Sequence, residues 1–132
     1  MWPRVGCGAA ILREGKLLLI RRINPPEAGC WGLPGGKVDP FETVGDALAR
    51  EIAEELGVEL IDPRLLCVVD HIDTAEGQHW VAPTYVSKNF RGDPEILEPE
   101  KHSDLGWFPL SALPVPLTQS AAAAARALSG LP

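Results

Sequence analysis

The stretch Gly36-Lys37-Val38-Asp39-Pro40-Phe41-Glu42-Thr43-Val44-Gly45-Asp46-Ala47-Leu48-Ala49-Arg50-Glu51-Ile52-Ala53-Glu54-Glu55-Leu56-Gly57-Val58 contains the clearest helix in the chain. Its spacing predicts a helix over Val44 to Leu56. Thr43 stands at the N-cap, Asp46 three residues on resembles a capping box, and Gly57 follows as a stop. Ala47, Leu48, Ile52 and Leu56 recur at three- and four-residue steps and form one apolar stripe. Glu51, Glu54 and Glu55 fall at i, i+3 and i+4, so their carboxylates share a face, expected to lie opposite that stripe. Three like charges this close repel one another. Divalent cations held between them would remove the penalty, and magnesium prefers hard oxygen ligands. An acidic triplet taken alone is more simply a solvated helix face.

The surrounding residues overturn that simpler reading. Gly36, Glu42, then Arg50-Glu51-Ile52-Ala53-Glu54-Glu55-Leu56-Gly57-Val58 fit Gx5Ex7REUxEExGU, with U aliphatic. At ordinary residue frequencies the fixed positions recur by chance about 3 × 10⁻⁸ times per start point. The stretch resembles the Nudix box, here residues 36–58. Trp31 to Lys37, the runs before it, and Trp107-Phe108-Pro109-Leu110 are similar to MutT-type Nudix enzymes. His79-Trp80-Val81 and Glu98-Pro99-Glu100-Lys101 are similar to a nucleoside triphosphate branch of that family.

The resemblance implies that Glu51, Glu54 and Glu55 bind Mg²⁺, with Mn²⁺ able to substitute, helped by the Gly35 carbonyl. A further carboxylate is expected from a later loop, with Glu100 the first candidate and Glu98 the second. Arg50 is expected to orient a catalytic glutamate, Glu51 to accept a proton, and Glu54 to serve catalysis alongside its metal role. Glu42 is expected to be structural. Arg22 and Lys37 match family positions near the phosphates, and His79 is a base-pocket candidate by the same analogy. MutT carries an asparagine where the last helix begins. Thr118 and Gln119 stand there in this chain, so contact with a base is expected from them, while preference for oxidised guanine is not implied.

The rest of the chain suits one α+β domain over residues 1–132. Val5 to Arg13 and Lys16 to Arg22 flank Glu14-Gly15 as a hairpin. Strands are expected at Leu65 to Ile72, Trp80 to Phe90 and Leu105 to Leu110, and a helix from Gln119 to Leu128. The resemblance makes this an α/β/α sandwich, a mixed β-sheet between helices. Trp31, Trp80 and Trp107 are expected to pack in the core, and Phe41 over the glycine loop. His71, His79 and His102 show no metal-ligand spacing and read as surface or structural residues.

Composition narrows the function. Twelve Lys and Arg against 18 Asp and Glu give a net charge of −6, which disfavours nucleic-acid binding. Cys7, Cys30 and Cys67 fit no CxxC signature and read as small hydrophobes in a reducing compartment. No apolar run is long enough for a membrane span and no signal segment is evident, so a cytoplasmic protein is expected. Pro34-Gly35-Gly36-Lys37 is not a P-loop, because Trp31 stands where its first glycine belongs and Val38 replaces Ser or Thr. The expected partner is a small nucleotide bound by a monomer or homodimer.

The expected reaction is hydrolysis of a nucleoside or deoxynucleoside triphosphate to the monophosphate and pyrophosphate. Cations between the phosphate oxygens would neutralise the charge that repels a nucleophile. A hydrolase of ADP-ribose or another nucleoside diphosphate derivative is the alternative. A non-catalytic nucleotide-binding regulator is disfavoured by the four intact box glutamates.

Overall fold

The computed structural model describes residues 1–130. The elements run β1 (Arg4–Arg13), β2 (Lys16–Arg22), β3 (Trp31–Gly32), β4 (Gly35–Lys37), α1 (Val44–Leu56), β5 (Glu59–Ile61), β6 (Arg64–Asp73), β7 (Gln78–Ser87), β8 (Asn89–Arg91), β9 (His102–Pro109) and α2 (Gln119–Ser129). Glu14 and Gly15 both take positive φ, 52° and 75°, which is the turn that twists with a two-residue hairpin. It brings Arg13 opposite Lys16.

Five strands form the main sheet path β3-β2-β1-β7-β6, with β4 pairing β1 and β9 pairing β2. β1 and β7 run parallel, whereas β6 and β7 are antiparallel, so the sheet is mixed.

Strand alternation sorts the apolar side chains onto two faces. Cys7, Ala9 and Ile11 of β1 with Leu18 and Ile20 of β2 meet Ala47, Leu48, Ile52 and Leu56 of α1. Ala10, Leu17 and Leu19 point the other way and meet Ala121 of α2. Both faces of the central strands are covered, which explains why Leu17 to Ile20 is an unbroken apolar run. The result is the α/β/α sandwich.

Local chemistry sets the limits of α1. The Thr43 hydroxyl accepts from the Asp46 N–H at 3.1 Å, and Gly57 closes the helix at φ 70°, its N–H bonded to the Ala53 carbonyl. Past this cap, the Leu56 and Glu55 carbonyls accept the Glu95 and Leu97 N–H groups at 3.2 and 3.1 Å. Those bonds satisfy carbonyls that a helix end leaves without partners. They also fasten the loop before β9 to the end of α1.

Several expectations are corrected. The strand anticipated from Trp80 to Phe90 breaks after Ser87, and β8 pairs with β5 in a separate two-stranded sheet. The buried Ser87 hydroxyl lies 2.9 Å from the Asn89 carbonyl and 3.3 Å from that of Ile61, filling hydrogen bonds at the break. β9 begins at His102, three residues before the expected start. Phe41 does not pack over the loop. It is fully exposed, because its φ of 68° belongs to a turn closed by the Glu42 N–H on the Asp39 carbonyl.

Candidate active site

Arg50 joins the carboxylate face of α1 to the loop before it. Its Nε and one terminal nitrogen donate to the two oxygens of Glu42 at 2.8 and 2.9 Å. That same nitrogen reaches the Lys37 carbonyl at 3.1 Å, and the other donates to Glu51 Oε1 at 3.0 Å. A longer contact, 3.4 Å, runs to Glu54 Oε2. A planar guanidinium supplies this fork of donors where an ammonium could not. The hydrogen bonds from Arg50, joined by the Asp39 N–H, hold the Glu42 carboxyl down at about 2. Glu51 shifts the opposite way. Burial raises its pKa against the Arg50 hydrogen bond, and the nearby charges of Glu55 and Glu54 raise it further.

Glu55 does not share the open face expected for all three glutamates. At 5% exposure it is buried, because three residues of helix place it only about 60° from Ile52 on the apolar stripe. Both oxygens have neighbours. The Gly35 N–H donates to Oε1 at 2.7 Å, and His102 Nε2 lies 3.3 Å from Oε2.

Among the described residues, Glu55, Glu98 and His102 bring their ligand atoms within 4.8 Å of one another. The loop therefore presents Glu98 to this cluster. Glu100 is exposed, with its carbonyl accepting from Asn24 Nδ2 at 3.3 Å. Lys101 Nζ lies 3.4 Å from Glu98 Oε2, and the charge of Glu98, followed by those of Glu51 and Glu55, raises the Lys101 pKa.

The donor set fits a hard divalent cation. Among the described residues, Glu42, Glu51, Glu54, Glu55 and Glu98 face two permanently charged cations, Arg50 and Lys101, leaving a surplus of negative charge in a half-buried place. Crowded carboxylates of this kind are stabilised by a metal ion with oxygen preference. Gly35 meets the cluster through its N–H.

Gly35 and Gly36 border both this cluster and a cavity of about 280 Å³. A Cβ on Gly36 would overlap the Glu51 carboxyl group, so glycine is what leaves room for that carboxyl group beside β4. Arg22, Lys37 and Thr118, three of the substrate-binding candidates, line the cavity. Arg22 is braced by its Nε on the Pro26 carbonyl at 2.8 Å, and the Lys37 ammonium lies 3.9 Å from Asp39. The Thr118 hydroxyl caps α2 by accepting from the Ala121 N–H at 3.1 Å.

His79 and Gln119 are placed elsewhere. Trp80, Ala82 and Thr84 are the cavity residues of β7, and strand alternation turns His79 to the opposite face. Gln119 donates its backbone N–H to Glu27 Oε2 at 2.8 Å. Trp80 is a wall of the cavity and not a core residue. Its ring carries the Arg4 guanidinium at 5.5 Å.

The NUDIX domain family model matches residues 2–129. The chain belongs to the Nudix family. A crystal structure of a MutT NUDIX hydrolase from Burkholderia pseudomallei superposes with a TM-score of 0.96 at 58% identity, covering 97% of this Nudix chain and 99% of that one. A Mycobacterium tuberculosis protein named for 8-oxo-dGTP diphosphatase activity is 51% identical over 63 residues, 47% of this chain and 45% of that protein. An ADP-ribose pyrophosphatase of Methanocaldococcus jannaschii is 34% identical over 112 residues, 85% of this chain and 65% of that protein. The matches thus span less than two thirds of either curated relative.

Two histidines expected to be surface or structural residues are buried beside carboxylates. His102 reaches Glu55, and His71 places Nδ1 3.5 Å from Glu27 Oε1 at the cavity wall. Neither has spacing to betray it, since each meets its carboxylate only through the fold. Cys7, Cys30 and Cys67 are free thiols, and among the described residues no helix is long and apolar enough to cross a membrane.

Proposed function

We propose that this Nudix hydrolase cleaves a nucleoside or deoxynucleoside triphosphate into the monophosphate and pyrophosphate. The observation that carries the reading is the placement of Gly35 and Gly36 between the carboxylates of α1 and a cavity that also presents Arg22 and Lys37. A base in the cavity would leave its phosphates within reach of both cationic side chains and the acidic cluster.

In this reading Glu51, Glu54, Glu55 and Glu98 hold Mg²⁺ together with the Gly35 carbonyl, Glu98 taking the place first expected of Glu100. When bound, the ion would neutralise phosphate charge and make the attacking water more acidic. Arg50 holds Glu51 Oε1 and leaves Oε2 to receive the proton of that water. Burial has already raised the proton affinity of this carboxyl, which suits a general base. The oxygen attacks an inner phosphorus in line, that phosphorus's P–O bond to the oxygen bridging the α and β phosphates breaks, and its electron pair leaves with the departing group. Attack at either the α or the β phosphorus gives the same two products.

Hydrolysis of ADP-ribose is the second reading, favoured by the Methanocaldococcus relative. A panel of triphosphates, 8-oxo-dGTP and ADP-ribose, with products separated by ion exchange, tests both. Monophosphate and pyrophosphate are expected from a triphosphate. Orthophosphate as the first product refutes the proposal, and preference for ADP-ribose over every triphosphate replaces it with the second reading. Labelled water shows which phosphorus is attacked.

A further inference from the structure

We infer that His102 is a positioning residue, which holds Glu55 in the orientation needed to bind the divalent cation. The inference rests on the metal-holding role proposed above for Glu55.

The first observation is the backbone. β9 pairs regularly with β2 from Pro109 to Asp104, and the register then shifts so that His102 faces Arg22 and Ser103 is passed over. Leu105 and Trp107 pack towards α1, so strict alternation would send Ser103 to that side and His102 away from it. The bulge exchanges them. Ser103 is exposed, its hydroxyl bonded to Asp104 Oδ2 at 2.9 Å, and His102 is buried to 5%. Bulges of this kind re-aim side chains beside active sites.

The second observation is the contact itself. Nε2 lies 3.3 Å from Glu55 Oε2, with both side chains more than nine-tenths buried. Nε2 is the ring nitrogen turned to the carboxyl group, and a hydrogen on it would have Oε2 as its acceptor. With the Gly35 N–H on Oε1, each oxygen of the carboxyl group has a protein neighbour that limits how it can turn.

The third observation is a cost. His102 Nδ1 is buried with no hydrogen-bond partner among the described residues. A buried polar atom left unpaired is unfavourable, and a leucine at this position would avoid it. Packing alone therefore does not account for the histidine, whereas orienting a ligand does. Residues that orient metal ligands typically change affinity 10- to 100-fold when replaced.

The test compares His102→Gln, His102→Asn and His102→Leu, with Mn²⁺ binding measured by calorimetry in the absence of nucleotide. The amide nitrogen of Gln can occupy the place of Nε2, whereas that of Asn matches Nδ1. His102→Leu and His102→Asn are expected to weaken Mn²⁺ binding about 10- to 100-fold. His102→Gln should restore most of it, and nucleotide KM at saturating metal should be unchanged in all three. Should His102→Leu fail to fold, the Gln and Asn variants decide alone. Equal Mn²⁺ affinity in those two refutes the positioning role. Nitrogen hyperfine coupling to bound Mn²⁺ that disappears in His102→Gln also refutes it, because the ring would then be a ligand. Because binding is read without nucleotide, a wild type that binds Mn²⁺ but hydrolyses no triphosphate overturns the proposed reaction and not the role of His102.

Discussion

Replacing Gly36 with alanine should disable the enzyme without unfolding it. The added Cβ would stand 2.5 and 2.6 Å from the two Glu51 oxygens, where ordinary contact begins at 3.4 Å. Relief requires the carboxyl group to retreat by about 0.9 Å. Glu51 cannot retreat freely, since Arg50 holds Oε1 at 3.0 Å and Arg50 is itself fixed on Glu42. Displacing a reacting group by about 1 Å costs roughly 10²-fold in rate, or about 2.7 kcal/mol of barrier. Stability should hardly change. Gly36 is not among the glycines at positive φ, so alanine tolerates its backbone, and a less flexible unfolded chain offers about 0.4–1 kcal/mol in compensation. Gly45→Ala is the control. A Cβ there meets nothing within 4 Å, and it should stabilise α1 slightly while leaving kcat intact. The assay is pyrophosphate release at saturating Mg²⁺ beside a thermal melt of each protein. Wild-type kcat in Gly36→Ala, or an activity loss explained by unfolding, would refute the reasoning.

Glu54→Gln should reduce turnover at least about 100-fold, the scale of one strong transition-state interaction. It is the cleaner probe of metal binding, because its side chain is half exposed. Glu55→Gln should lose as much activity and also stability, since an amide cannot accept from both the Gly35 N–H and His102. Chelation by EDTA should abolish activity and added Mg²⁺ restore it, and wild-type rates in Glu54→Gln would remove that residue from the metal site. Glu51→Gln should lower kcat far more than Mn²⁺ affinity, and a defect confined to metal binding would make Glu51 a ligand only. Glu42→Gln concerns pH. The folded-state pKa of Glu42 is lowered to about 2 from an ordinary 4.5, so its contribution to stability is present above the ordinary value and lost as pH falls through about 2. Denaturant melts should show the variant less stable than wild type at pH 7, with the gap closing between pH 4.5 and 2. A gap that persists at pH 2 refutes the assignment.

Legibility from sequence followed sequence distance. Thr43, Asp46, Gly57 and the apolar stripe lie within one helix, and their spacing alone set the limits of α1 at the residues observed. The Glu14-Gly15 turn was equally local. The break after Ser87 was not, because β8 owes its place to β5, nearly 30 residues earlier in the chain. The same distinction divides the site. Glu51, Glu54 and Arg50 were singled out by the resemblance of residues 36–58 to the Nudix box, whereas the choice between Glu98 and Glu100 depends on how the loop docks against α1. Burial of Glu55 was readable in principle, since its angle to Ile52 follows from the helix period. His102 could not be anticipated at all, for alternation along β9 would point it away from Glu55 and only the bulge reverses this.

The end of α1 explains why these distant pieces meet. Gly57 in the left-handed region turns the chain sharply, so the carbonyls of Glu55 and Leu56 are left open to outside donors. The Leu97 and Glu95 N–H groups occupy them. Glu98 follows one residue later, and its carbonyl accepts both the Lys101 and His102 N–H groups at 2.9 and 3.1 Å. This tight turn lifts Lys101 towards the acidic cluster and starts β9 with His102 against Glu55. Glu55 thus meets this segment twice, its backbone carbonyl accepting from Leu97 and its carboxylate lying 3.3 Å from His102. Helix termination and the placing of Glu98 and His102 beside Glu55 are thus coupled. A sequence can therefore keep every box residue and still fail to assemble this acidic cluster, if the loop from 92 to 101 no longer matches the two open carbonyls.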